Sequence, residues 1–204
     1  NLEKKWIINE SERYYLNFKQ QITLTKEEQD FVNTHTIKAS VSEEWQPFSF
    51  KSENNKAVGI SSEYWALIAE KLNLKNKDIF YDTFTKQLES IKYKSADVIY
   101  SAGETAQRKE YAIFSKEYLT FPISIVTKKD ENFIENISNI SDKKIAVGNN
   151  FTAHNILKNT YPGMKFILVK DVKEGLALVS ENRAYAYVDI KPTLLYNITK
   201  YNFD

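Results

Sequence analysis

Lys144-Ile-Ala-Val147, Thr152 to Asn159, Phe166-Ile-Leu-Val169, Val172 to Glu181 and Ala184 to Val188 follow one another as apolar run, helical pattern, apolar run, helical pattern, apolar run. The runs are too short for helices and rich in residues that favour extended backbone, so they read as strands buried on both faces. Strands that alternate with helices form a parallel sheet covered by helices on each side. A last helical segment, Pro192 to Tyr201, follows.

The same grammar occurs upstream. Ile37-Lys-Ala-Ser-Val41 alternates as a strand does, and after the loop signal Glu43-Glu-Trp-Gln-Pro47 the residues Tyr64, Leu67, Ile68 and Leu72 fall at helical steps. Ile79-Phe-Tyr81 reads as a strand, Gln87 to Tyr93 as a short helix, and Ala96-Asp-Val-Ile-Tyr100 as a third strand. Between the two series lies Phe121-Pro-Ile-Ser-Ile-Val126, a β-rich run, with the charged Lys128-Lys-Asp-Glu131 behind it. The expectation is therefore an α/β chain with two lobes: connector helices over 1–33, a first lobe over 34–123, and a hinge strand with the second lobe over 124–204. Within the connector, Thr25 stands three residues before Glu28, the capping-box spacing, with Phe31 and Val32 on the helix that follows.

Composition excludes several classes. Lys and Arg number 28 against 27 Asp and Glu, a formal charge of +1, so no overall field favours nucleic acid or an anionic membrane. Without Cys there is no disulfide, thiolate metal site or Cys nucleophile, and His35 and His154 are far apart in the chain. Neither metal nor cofactor is expected. No run of about 18 apolar residues exists, and Asn1 to Trp6 lacks the build of a signal peptide. Contact with a membrane is expected only through segments outside this stretch.

Three loops at the expected strand ends carry binding chemistry, since a parallel sheet gathers its ligand there. Ser101-Ala-Gly103-Glu-Thr105-Ala-Gln-Arg108 follows the third strand, and its guanidinium could grip a carboxylate while Ser101, Thr105 and the backbone at Gly103 add hydrogen bonds. The alternative is a surface Arg108 paired with Glu104 or Glu110. In the first loop, Trp45 offers an aromatic face to a ligand, or else packs in the core as Phe48 and Phe50 are expected to do. In the second lobe, Gly148-Asn-Asn-Phe151-Thr152 opens a helix whose free N–H groups favour an anion; Thr152 is either a ligand contact or the N-cap. Asp189, at the end of the last strand, either holds a ligand ammonium or caps the turn before Pro192. His35 and His154 are expected to be solvated or partly packed.

Leu24-Thr-Lys-Glu-Glu-Gln-Asp-Phe31, Trp45-Gln-Pro-Phe-Ser-Phe50, Gly59-Ile-Ser61, Asp97-Val-Ile99, Thr105-Ala-Gln-Arg108 with Phe114-Ser115 and Tyr118, Lys144-Ile-Ala-Val-Gly148 and Ala186-Tyr-Val-Asp189 occur in this order. Over residues 24–200 they resemble family 3 of the bacterial extracellular solute-binding proteins, the amino-acid-binding type, in the Venus-flytrap version that forms the sensor region of receptors such as histidine kinases. The resemblance implies a two-lobed periplasmic-binding-protein fold of type II, and Arg108 as the clamp on an α-carboxylate. It also implies an acid near Asp189 for the ammonium, although Asp189 stands one position early, with Ile190 at the usual place. In that family the chain returns to lobe 1 after lobe 2, whereas Asp204 comes just after a lobe 2 helix, so an incomplete lobe 1 is expected. The implied function is extracytoplasmic sensing of a carboxylate or amino-acid-like molecule by lobe closure in an inner-membrane receptor, with a receptor homodimer as a compatible assembly. The alternatives are a periplasmic enzyme resembling cyclohexadienyl dehydratase and a free transport binding protein. No paired carboxylates or nucleophile and base stand at catalytic spacing.

Overall fold

The computed structural model describes residues 22–203. Residues 1–21 of the expected connector lie outside them. Helix α1 (Lys26–Thr34) starts with the capping box the sequence announces: Glu28 N donates to Thr25 Oγ1 at 3.2 Å and Thr25 N to Glu28 Oε2 at 2.7 Å. His35 ends the helix and stacks on Phe31, ring centroids 4.3 Å apart.

Strand β1 (Thr36–Ser42) comes next. Glu44–Trp45, Ser49–Lys51 and Ala57–Val58 then form a small antiparallel meander, β2 to β4, where the sequence suggested only a loop and a turn. Helix α2 (Ile60–Leu72) crosses to β5 (Lys75–Tyr81), which pairs in parallel with β1 from Thr36↔Lys75 to Ser42↔Tyr81. Gly59 makes the entry to α2 possible. Its φ is +109°, and a Cβ there would lie 2.6 Å from the Phe48 carbonyl oxygen, which accepts from Ser61 N at 2.8 Å.

Helix α3 (Phe84–Lys92) packs on β1, and α4 (Ala106–Lys109) is a single turn capped by Thr105. The expected third strand, Ala96 to Tyr100, is reduced to one bridge, Ala39↔Val98. The reason is local: Lys38 N donates to the Asp97 carboxylate at 2.7 Å rather than to a main-chain carbonyl, which interrupts the ladder.

The second sheet has the order β6-β9-β7-β8, with β6 (Ile123–Val126), β7 (Ile145–Gly148), β8 (Phe166–Val169) and β9 (Ala186–Ile190). Its β7 pairs in parallel with β8 and β9, while β6 runs antiparallel to β9 as an edge strand. Helices α5 (Thr152–Thr160), α6 (Val172–Ser180) and α7 (Lys191–Tyr201) cover it. Alternate side chains feed two separate cores. Ala146 and Tyr187 join Val169, Val172, Leu176 and Leu194 on one face, whereas Ile145, Val147, Ala186 and Val188 join Ala153 and Leu157 on the other. Burial on both faces is what the continuous apolar runs require. Among the described residues no helix is long and apolar enough to cross a membrane.

Candidate functional site

A cavity of about 570 Å³ lies between the two sheet systems. The first contributes Trp45, Phe48, Ser61, Phe84, Gln87, Ser101, Gly103 and the segment Phe114 to Phe121; the second contributes Phe151, Thr152, Ala153, Ile156, Lys170, Asp171, Asp189 and Ile190. The volume falls within the range of small-molecule sites. Among the described residues no cluster of His, Asp or Glu could hold a metal ion.

The aromatic wall is a packed ladder. Trp45 tilts against Phe48 at 5.0 Å between centroids, and Phe48 against Phe121 at 4.9 Å. Phe48 is buried, as expected, yet one of its surfaces forms part of the cavity. Tyr118 stacks on Tyr64 and hydrogen-bonds Ser61 Oγ at 3.0 Å and the Tyr100 carbonyl.

Arg108 is neither a ligand clamp open to the cavity nor a surface residue. It is 2% exposed and does not line the cavity. One terminal nitrogen, Nη1, donates to the Gly103 carbonyl and to Thr152 Oγ1 at 3.2 Å; the other, Nη2, donates to the Asn150 carbonyl at 2.7 Å. Its plane lies over Phe84, 5.0 Å from the ring centroid. The guanidinium thus joins α4 to the start of α5 across the gap. Burial pushes its pKa down to about 10, so it stays cationic at neutral pH, and Nε is buried with no hydrogen-bond partner. Glu104 pairs with Lys109 instead of Arg108.

The surrounding contacts are equally close. A Cβ at Gly103 would stand 2.8 Å from Thr152 Oγ1, so only glycine lets the two loops approach this far. Asn150 Nδ2 donates to Thr85 Oγ1 at 3.0 Å, and Phe84 meets Phe151 edge-on at 5.6 Å. Thr105 stays outside the cavity, its hydroxyl accepting from Arg108 N at 3.2 Å. Thr152 is not the N-cap. Phe151 occupies that position with no side-chain cap, so the first turn of α5 presents uncapped N–H groups beside the cavity, where Thr152 and Ala153 lie. His154 is partly packed, its Nδ1 accepting from Asn150 N at 3.3 Å, and burial lowers its pKa.

Asp189 is the buried charge of the second half. It is 4% exposed; Tyr187 Oη donates to its Oδ2 at 3.0 Å and Ile190 N to its Oδ1 at 2.7 Å. It does not cap α7, whose N-cap is Ile190. Burial raises its pKa to about 6 against the pull of those two hydrogen bonds, and no cation is among the influences on it. Of the residues singled out from sequence, Trp45, Ser101, Gly103, Phe151, Thr152 and Asp189 share the cavity wall, while Thr105 and Arg108 do not.

Sequence reasoning missed Gln87, Phe84 and Ser61. Phe84 and Gln87 stand three residues apart on one face of α3, beside the apolar Leu88 and Ile91. An amide on an otherwise apolar helix face was the available signal.

The model of the bacterial extracellular solute-binding proteins, family 3, matches residues 37–191. The virulence sensor protein BvgS of Bordetella bronchiseptica is 24% identical over 186 residues, covering 91% of this chain and 15% of that protein. The chain thus spans a small part of the curated sensor it matches. Among solved structures, the periplasmic VFT2 domain of Bordetella pertussis BvgS superposes with a TM-score of 0.77 at 22% identity, covering 88% of this chain and 77% of that one. The arginine-bound, truncated ArgBP of T. maritima gives 0.73 at 26% identity, covering 85% and 82%. The two sheet systems around one cleft are accordingly the lobes of a periplasmic-binding-protein fold, and the chain belongs to family 3 of the bacterial extracellular solute-binding proteins.

Proposed function

We propose that this chain is the extracytoplasmic sensor module of a signalling receptor, and that it closes on a small amine-bearing polar molecule without transforming it. The observation that carries the reading is a buried carboxylate on the cavity wall on which, among the described residues, no cation acts. Asp189 has two hydrogen bonds but no countercharge among those residues, so an ammonium arriving in the cavity relieves its burial directly. Trp45 and Phe48 supply an apolar face for the ligand's carbon skeleton, and the uncapped start of α5 supplies N–H donors for an oxygen.

Both lobes line the cavity, so a ligand that touches both favours the closed arrangement by its differential contacts, and that shift is the output of a sensor. The sequence likeness to BvgS over 91% of the chain supports the receptor setting and a periplasmic location. Differential scanning fluorimetry of the full chain with a panel of L-amino acids and aliphatic amines at pH 7.5 tests the reading. A ligand at about 100 times its dissociation constant adds about 2.7 kcal/mol of stability, which reads as a clear rise in melting temperature. The rise should vanish in Asp189→Asn. A flat response to the whole panel, or one undiminished in Asp189→Asn, overturns the proposal.

A further inference from the structure

We propose that Gln87 determines specificity by pairing with an uncharged carboxamide at the end of the ligand away from the ammonium. This deepens the preceding section and rests on its assignment of the cavity and of Asp189. Gln87 is 3% exposed and lines the cavity from α3, in the lobe opposite Asp189. Its main chain is committed: N donates to the Thr83 carbonyl at 3.2 Å, and the carbonyl accepts from Ser90 Oγ at 2.6 Å. Among the described residues its side-chain amide makes no hydrogen bond, although its atoms are not sealed away as Ser49 Oγ and Thr193 Oγ1 are.

The neighbouring buried polar groups behave differently. Ser90 Oγ lies 3.1 Å from Ser40 Oγ, and in the other lobe the buried amide of Asn197 donates to the Thr193 carbonyl at 2.8 Å. Gln46, 8% exposed, also shows no side-chain hydrogen bond among the described residues but does not line the cavity, so Gln87 is the buried open amide on the cavity wall. Its chemistry defines the complement. An amide offers two donors and an acceptor without net charge, and a carboxamide returns both a donor and an acceptor in one plane. An apolar ligand end leaves the amide unpaired in the complex, and a charged end is desolvated with no countercharge from Gln87. The adjoining Phe84 ring carries the cation of Arg108, which disfavours a second cation beside it.

Isothermal titration with L-glutamine, L-glutamate and L-norleucine, three side chains of similar length, tests the proposal on the full chain and on Gln87→Leu, Gln87→Met and Asp189→Asn. For the natural chain, glutamine should bind at least about tenfold tighter than norleucine, the size of one unsatisfied hydrogen-bonding group. Gln87→Leu should abolish that advantage while keeping norleucine binding; Gln87→Met, similar in length and without hydrogen-bonding groups of the amide kind, provides the comparison should Gln87→Leu fail to fold, and it too should lose the preference for glutamine over norleucine. Asp189→Asn should weaken all three. Equal affinities for glutamine and norleucine, or a glutamine preference that survives in either Gln87 variant, overturns the role of Gln87 and leaves the amine site standing. Failure of all three to bind the natural chain removes the assignment of the cavity itself, and this inference with it.

Discussion

The two lobes are built by opposite means. The C-terminal lobe buries aliphatic side chains on both faces of its sheet, in two clusters around Leu176 with Tyr187 and around Ile145 with Val188. The N-terminal lobe has a small apolar cluster of Ala39, Val41 and Tyr100, and most of what it buries is polar: Ser40, Ser49, Ser61, Ser62, Gln87, Ser90 and Arg108. Its helix α2 buries only Ser61 and Ser62, while Ile60, Tyr64 and Leu67 stay exposed. Apolar burial is the main favourable term in folding, whereas a hydrogen bond adds little net stability. Within this chain the C-terminal lobe thus holds the larger apolar core, and the N-terminal lobe supplies most of the cavity wall.

The widest gap in expected effect comes from equivalent deletions in the two cores. Leu176→Ala removes a side chain 2% exposed between α6 and the sheet and should cost about 2–5 kcal/mol in urea denaturation. Val41→Ala, fully buried in the smaller cluster, removes less volume and should cost about 1–2 kcal/mol. Equal losses would show that the N-terminal lobe is as tightly organised as its partner. Arg108→Met comes next. It removes the donors that tie Gly103 to Asn150 and Thr152, leaves the Gly103 carbonyl without this donor while Asn155 Nδ2 still reaches the Asn150 carbonyl at 3.3 Å, and should cost about 1–3 kcal/mol. It should also raise the radius of gyration in small-angle scattering as the lobes part; an unchanged radius would mean that Phe84, Phe151 and the Asn150–Thr85 bond hold the closed arrangement without it.

The contrast between the lobes also explains what could be read from sequence. In the C-terminal lobe the runs Ile145–Val147, Phe166–Val169 and Ala186–Val188 are covered on both faces, so continuous hydrophobicity located each strand within two residues. In the N-terminal lobe, β2 to β4 are two or three residues long and are set by main-chain pairing and by Gly59, which hydropathy does not register. The segment Ala96 to Tyr100 had the composition of a strand, but the Asp97 side chain took the Lys38 N–H. The site shows the same division. Asp189 was visible as a carboxylate at a strand end. That Arg108 would turn to Asn150 and Thr152 depends on how closely Gly103 lets the lobes meet, a distance no sequence motif contains. Gln87 was missed because the helix was read from Gln87 to Tyr93, which left Phe84 outside it and hid the apolar face the two share.

Asp189→Asn runs against the usual direction of core mutations. The carboxylate is pushed up to about 6 in the folded chain from an ordinary 3.8, so the folded state holds its proton over a window in which the unfolded state has released it. Stability therefore falls as pH rises from about 4 to about 6, and the penalty is then constant. Replacing Asp189 by Asn removes that penalty while keeping an oxygen that can accept from Ile190 N and an N–H that can donate to Tyr187 Oη. The variant should match the natural chain near pH 4 and exceed it by about 1–3 kcal/mol above pH 6. A variant less stable at pH 7 would mean that the charge is compensated in the empty cleft. The buried carboxylate would then not be waiting for a cation.

The smallest effect is expected at the edge of the N-terminal lobe. Thr25→Ala deletes the side-chain half of the capping box on α1, whose residues are mostly exposed and of which only Val32 is buried. Loss of a Thr cap costs about 1 kcal/mol of helix stability, and because α1 adds so little to either core, the loss should stay local. Amide exchange should rise in Lys26 to Thr34 and stay unchanged in β7 and β9. Exchange that also quickened along β1 and β5 would show that α1 braces the thin N-terminal sheet, where Lys75 Nζ donates to the Asn33 carbonyl at 3.0 Å. The N-terminal lobe would then be coupled to α1, through that contact and the Phe31–His35 stack, and α1 would bear on how the lobe closes.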